Sequence, residues 1–320
     1  MSFAGSPRIL ITGAHGFVGR HLVRRLADVS PDAELVLADR HAGPAPLRGR
    51  SVTIDITDTA AVEKLIAAEQ PSHLVHLAAI AAVTEATGDA KQAQAINFGG
   101  VRNVALAIIR SAPACRLLFC SSAEVYGSSF KAGYALDETA PLQPVNAYGA
   151  AKAEADSLLG EMARDGLKVV RLRPVNHTGP GQGTQFVVPD FSSQIARIER
   201  GQQPPVIRVG NLSNSRDFLD VRDVVDAYAK TLLAFDDIPN GCAMNVASGS
   251  AIVIRTVLDH LLALSSRPIE VKEDPALFRT SDTPVVVCDS SLARRLLAWQ
   301  PRYHFADTLR DVLDYWRTRA

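Results

Sequence analysis

Three glycines at a spacing of three lie between an apolar run, Arg8-Ile9-Leu10-Ile11-Thr12, and a segment of helical period over 17–26: Thr12-Gly13-Ala14-His15-Gly16-Phe17-Val18-Gly19. A chain that passes from strand to helix within so few residues has few folds open to it. The first glycine allows the tight turn, and the second lets the backbone approach a pyrophosphate. The third lets the helix pack closely on the strand, while the helix N-terminus stabilises the incoming negative charge. A glycine triplet recurs by chance, but here both flanks are correct. Gly13, His15, Gly16, Phe17, Val18 and Gly19 are therefore the first candidates for holding a dinucleotide.

The rest of the first half continues that rhythm. Short runs rich in Ile, Val and Leu at 9–12, 35–38, 73–77 and 116–120 alternate with segments of helical period such as 62–68. Strands apolar on both faces with helical crossovers between them predict a Rossmann-like, doubly wound parallel sheet, an α/β fold. Further strands are expected at 167–172 and 243–246, and helices at 223–235, 292–297 and 308–316. After Arg173-Pro174 the texture turns to Gly, Pro and Asn, as in Gly179-Pro180-Gly181-Gln182-Gly183, which marks the start of a smaller C-terminal substrate-binding part. The expected division is 1–175 with 217–250 for the dinucleotide, and 176–216 with 251–320 for the substrate.

Composition narrows the partners. The 320 residues include 34 basic and 34 acidic side chains, so the formal net charge is zero, and no segment concentrates Lys and Arg. Neither a nucleic acid nor an anionic membrane surface is expected as a partner. The longest apolar run, at 73–83, is interrupted by His76 and is far shorter than the ~20 residues that span a bilayer. The N-terminus has no signal-peptide form, which predicts a cytoplasmic protein. Cys115, Cys120, Cys242 and Cys288 form no CxxC pair, so they are expected as reduced thiols, and no metal is expected.

Asp39 closes the second predicted strand, where a carboxylate accepts hydrogen bonds from an adenine ribose; this favours NAD(H). Arg40 beside it could pair with a 2′-phosphate, which leaves NADP(H) as the alternative. Asp55 and Ile56, at the end of the third strand, could bracket the adenine, although a carboxylate at a strand end also serves as a turn or capping residue.

Tyr148 and Lys152, four residues apart in Tyr148-Gly149-Ala150-Ala151-Lys152, share one face of a helix. An ammonium near the phenol is expected to lower the tyrosine pKa and make Tyr148 a proton donor or acceptor near neutral pH. Upstream, Cys120-Ser121-Ser122-Ala123-Glu124-Val125-Tyr126-Gly127 ends the strand from Arg116. It lies at the carboxyl edge of the sheet, where open α/β folds bind ligands, and Ser122 could orient a carbonyl there.

With these residues in order, the glycine motif, His76-Leu77-Ala78-Ala79, Asn97, the serine strand and YxxxK, the chain resembles the extended short-chain dehydrogenase/reductase family over almost its whole length. The resemblance implies that Leu77, Ala78, Ala79 and Asn97 join the cofactor site with Tyr148 and Lys152, and that Ser122, Tyr148 and Lys152 are catalytic. Between Leu172 and Tyr228 the segments Arg173-Pro174-Val175-Asn176-His177, Phe186-Val187-Val188-Pro189 and Arg216-Asp217-Phe218-Leu219-Asp220 look like the family's reductases of GDP-4-dehydro-6-deoxy-D-mannose.

That likeness implies a GDP-linked 4-keto-6-deoxy sugar as partner, GDP-D-rhamnose as product, and Ser122, Ala123, Glu124, Asn176, Val188, Arg216 and Arg279 along the nucleotide sugar. Arginines suit a diphosphate because guanidinium forms bidentate contacts. Ala123, Val175 and Thr280 depart from the reductases' usual residues. Ala123 also stands where related dehydratases carry an aspartic acid, and Glu124 could be a base or a support of its loop. The family implies a homodimer built from the Tyr148 helix and 94–109. A nucleotide-sugar 4-epimerase that retains its NAD, a reductase of opposite face giving GDP-6-deoxy-D-talose, and a non-catalytic nicotinamide sensor are the rival readings.

Overall fold

The computed structural model describes residues 6–41, 43, 47–278 and 283–320. Seven parallel strands form the main sheet, in the spatial order Ala243–Val246, Val169–Pro174, Arg116–Cys120, His73–His76, Arg8–Thr12, Glu34–Asp39, Arg50–Thr53. Successive side chains of each strand point to opposite faces, and both faces are covered. Ile9, Ile11, Leu37, Val75, Leu118 and Leu172 pack under the helices Phe17–Val29 and Val221–Leu233. Leu10, Val36, Leu74, Leu117 and Val169 meet Thr59–Glu69, Val101–Ser111 and Ala147–Arg164 on the other face. This is why the central strands Arg8–Thr12, Glu34–Asp39, His73–His76 and Arg116–Cys120 read as mainly apolar runs.

The chain order along the sheet reverses between Arg8–Thr12 and His73–His76, where the strands pair through Leu10 and Leu74. Such a reversal opens a crevice at the carboxyl ends of the strands.

Beyond Pro174 the chain builds a second, smaller core. Asn176–Thr178, Ser215–Asp220, Ala251–Val253 and Val285–Val286 make a small mixed sheet, and Val206–Val209 pairs with Glu270–Glu273. The helices Val187–Glu199, Ile254–Ala263 and Phe305–Arg317 bury Val188, Phe191, Ile195, Leu258, Leu309 and Val312 against it. Residues 286–299 return to the main sheet, where Val286, Cys288, Ala293, Leu297 and Trp299 join its core and the Trp299 indole donates to the Asp223 carbonyl at 3.0 Å. None of the four cysteines is in a disulfide. Among the described residues no helix is long and apolar enough to cross a membrane, and no three His, Cys, Asp or Glu side chains are grouped to hold a metal.

Candidate active site

A single cavity of about 910 Å³ runs along the carboxyl edge of the sheet. Gly13, Gly16, Asp39, Arg40, Asp55 and Ile56 line one end, Ser122, Ala123, Glu124, Tyr148 and Lys152 the middle, and Asn176, Val188 and Arg216 the other end.

The glycine turn is a cradle that side chains would fill. Gly13 has φ +70°, and a Cβ on it would lie 2.7 Å from the Ala78 amide nitrogen; one on Gly19 would lie 2.3 Å from the Gly13 carbonyl. Helix Phe17–Val29 begins directly behind, with Gly16 as its cap and no side chain bonded to its first amides. Those free N–H groups face the cavity where a pyrophosphate fits. Asp39 braces the turn: its Oδ2 accepts from the His15 amide at 3.0 Å and its Oδ1 from the Arg40 amide at 2.7 Å. A carboxylate has about four lone-pair sites, so capacity remains for ribose hydroxyls.

Asp55 closes a turn by accepting from the Thr57 amide and hydroxyl at 2.9 and 2.7 Å, which holds its carboxyl below the ordinary carboxylate value. It serves as a turn residue while also lining the cavity. Phe17, Val18, Leu77, Ala78 and Ala79 line the cavity as well.

Two residues expected at the cofactor do not line the wall. The Asn97 side chain is fully buried and brackets Ile80, accepting from its amide at 2.8 Å and donating to its carbonyl at 3.0 Å. It therefore acts by holding the loop after His73–His76, not by reaching a ligand. His15 works through its backbone on Asp39, while its ring meets the Ser51 hydroxyl at 3.2 Å. His76 is a core residue, bonded through Nδ1 to the Thr12 hydroxyl at 2.9 Å, with burial pulling its pKa down to about 3.

The helix Ala147–Arg164 carries Tyr148 and Lys152 into the middle of the cavity. Asn146 caps it through Oδ1 to the Gly149 amide at 2.8 Å, and donates from Nδ2 to Glu124 at 3.0 Å, so the capping residue also fixes the loop after Ser122. Farther along, Asp156 is fully buried between Arg171 at 2.6 Å and Arg173 at 2.8 Å on strand Val169–Pro174, which pins the helix to the sheet.

The Ser122 hydroxyl lies near the Tyr148 phenol and favours its ionised form. Lys152 donates from Nζ to the Cys120 carbonyl at 2.7 Å, 4.9 Å above the centre of the Phe119 ring, and burial lowers its pKa. The expected depression of the Tyr148 pKa by Lys152 is absent. Burial raises Tyr148 instead, because removing a phenolate from water outweighs the favourable influence of the Ser122 hydroxyl, and the ammonium is turned to a backbone carbonyl. Tyr148 is thus a neutral phenol, the form that donates a proton.

Toward the far end, Ala123 offers no acid and Glu124 is held by Asn146. Val188 is buried, and Asn176 is exposed at the start of its short strand. Arg216 donates to the Ser215 and Thr283 carbonyls at 2.9 and 2.7 Å, which directs its guanidinium along the cavity wall. Arg279 lies outside the described residues. Sequence reasoning missed Asp190, which lines this end from helix Val187–Glu199. The helical spacing of Val188, Phe191 and Ile195 was the signal available for it.

The NAD dependent epimerase/dehydratase family matches residues 9–247. The chain is 32% identical over 316 residues to GDP-6-deoxy-D-mannose reductase of Pseudomonas aeruginosa, covering 98% of this chain and 99% of that one. Among solved structures it resembles RMD from Pseudomonas aeruginosa complexed with NADPH, at 30% identity and a TM-score of 0.85 over 98% of this chain and 100% of that chain. It also resembles the UDP-glucose 4-epimerase of Thermus thermophilus in complex with NAD, at 26% identity and a TM-score of 0.86 over the same shares of the two chains.

Proposed function

We propose, from the premise that this chain belongs to the NAD dependent epimerase/dehydratase family, that it is a reductase of GDP-4-dehydro-6-deoxy-D-mannose yielding GDP-D-rhamnose. The observation that carries the reading is the continuity of one cavity from the glycine cradle, past Ser122, Tyr148 and Lys152, to Arg216. Similarity to a reductase of that type over the full length supports the choice of sugar.

A bound nicotinamide supplies the hydride. Everything else falls to this chain. Ser122 would hydrogen-bond O4 of the keto sugar and polarise it, and Tyr148 would give its proton to that oxygen as C4 is reduced, so that ketone becomes alcohol and the phenolate regains a proton from solvent. Lys152 holds the nicotinamide ribose and supplies positive charge beside the phenolate left on Tyr148. Asp39 takes the adenine ribose, with NAD(H) favoured and NADP(H) accepted through Arg40. Gly13, Gly16, Phe17, Val18, Gly19, Asp55, Ile56, Leu77, Ala78 and Ala79 shape the cofactor end, and Ala123, Glu124, Asn176, Val188 and Arg216 the sugar-nucleotide end; Arg279 is assigned to the nucleotide sugar by the family resemblance alone. Residues 1–175 and 217–250 serve the cofactor, and 176–216 and 251–320 the substrate, with 286–299 buttressing the sheet. The reading extends to a cytoplasmic homodimer joined through the Tyr148 helix and residues 94–109, and sedimentation velocity checks the dimer.

The test generates the keto sugar in place with a separate dehydratase, adds the protein with NADH or NADPH, and follows nicotinamide absorbance and then the product by NMR. Consumption with GDP-D-rhamnose is expected. GDP-6-deoxy-D-talose would reverse the assigned face, and no consumption beside an active dehydratase would remove the substrate and favour a 4-epimerase.

A further inference from the structure

We propose that Asp190 reads the Watson–Crick edge of the substrate's base and so selects guanine over a pyrimidine. This rests on the reading above, in which the far end of the cavity takes the nucleotide of a GDP-sugar. Asp190 stands at that end, away from the reacting centre at Tyr148, and has no part in the hydride and proton transfers.

Its carboxylate is held in place. Oδ2 accepts from the Gln194 amide at 3.0 Å. Gln194 is buried and bonded twice to strand Val206–Val209: it donates to the Arg208 carbonyl at 3.2 Å and accepts from the Arg208 amide at 3.1 Å. The carboxylate is thereby coupled to the cavity wall. Among the described residues Oδ1 has no hydrogen-bond partner and no cation forms an ion pair with Asp190, while burial pushes its carboxyl above the ordinary value. Gly210, which follows strand Val206–Val209, also lines the cavity.

The partner that matches a fixed, acceptor-only pair of oxygens is a pair of adjacent donors. Guanine presents N1–H and its exocyclic amino group side by side, and an ionised carboxylate accepts from both. Uracil and thymine present one N–H between two carbonyl oxygens, which the carboxylate repels. Hypoxanthine keeps N1–H and lacks the amino group, so it separates the two contacts.

The test titrates the full chain with GDP, IDP and UDP by calorimetry, with NADH present. The native protein is expected to bind GDP at least about tenfold more tightly than IDP, the loss of one hydrogen bond to a charged acceptor, and UDP more weakly still. Asp190→Asn should bring GDP and IDP to within about twofold, since an amide cannot accept from both donors, while NADH affinity is unchanged. A variant that keeps the native GDP-to-IDP ratio, or a native protein that does not separate the two, overturns the role of Asp190 and leaves the GDP-sugar reading standing if GDP still exceeds UDP. Equal binding of UDP and GDP overturns both. If Asp190→Asn fails to fold, Asp190→Ser is titrated in its place: loss of the GDP-to-IDP separation is expected, and its retention overturns the role of Asp190.

Discussion

Among the single residues Tyr148 matters most: a buried phenol beside Ser122, kept protonated by burial. That state suits the reductive direction, in which the tyrosine gives a proton. Replacing Tyr148 with Phe keeps the ring and removes the donor, so turnover should fall by about 10²- to 10⁴-fold, while NADH affinity measured by fluorescence stays near native. Equal losses in both would remove the proton-donor role. Asp39 makes a second residue-level claim. Asp39→Ala should lower kcat/KM with NADH by about tenfold and shift preference toward NADPH; an unchanged ratio of the two would take Asp39 off the ribose. The pairing of Tyr148 with Lys152 was readable from helical spacing alone. The direction of the Tyr148 shift was not, because it depends on burial and on where Nζ points, and both are set by residues far away in the chain.

The elements show why some of the fold was legible and some was not. The strand Arg116–Cys120 sits where its apolar run places it, since a strand covered on both faces is mainly apolar, and Ala243–Val246 sits where expected although it carries the buried Asn245, whose amide donates to the Leu136 and Asp289 carbonyls. Helix Val187–Glu199 escaped notice because Pro189 lies in its first turn and glycines precede it. A proline is tolerated there, as its missing N–H would have no intrahelical partner. The strands Asn176–Thr178 and Val285–Val286 are too short for a periodicity, and they exist only by pairing with Ser215–Asp220. Asn97 was legible as important but not in its role, since bracketing Ile80 needs the loop in place. At this scale the position of helix Ala147–Arg164 depends on Asp156. Asp156→Ala leaves Arg171 and Arg173 facing each other with the buried carboxylate gone, and should cost about 3–5 kcal/mol, seen as a lower urea midpoint. A midpoint within error of native would show that the pair does not pin the helix.

For the whole molecule, the glycine turn after Arg8–Thr12 and Arg216 of the second core are walls of one cavity. The stability of the fold should depend on pH in a defined sense. Burial lowers the pKa of His73 to about 4 and of His76 to about 3, and it also lowers His21 and His177. Below their unfolded value near 6.5 the unfolded chain takes up protons that the folded chain refuses. Stability is therefore complete above that value and falls progressively as pH drops toward 4. Urea midpoints between about pH 7.5 and pH 5 should decline, before most carboxylates titrate; a flat profile would mean that these rings are solvated.

The central claim is net transfer of hydride from the cofactor to C4 of the sugar. The most direct measurement supplies nicotinamide deuterated at its transferable position together with the 4-keto sugar, and locates the label by NMR. The account predicts deuterium at C4 of GDP-D-rhamnose with one cofactor oxidised per sugar. Turnover with the label retained on a tightly held cofactor and no net oxidation would contradict it.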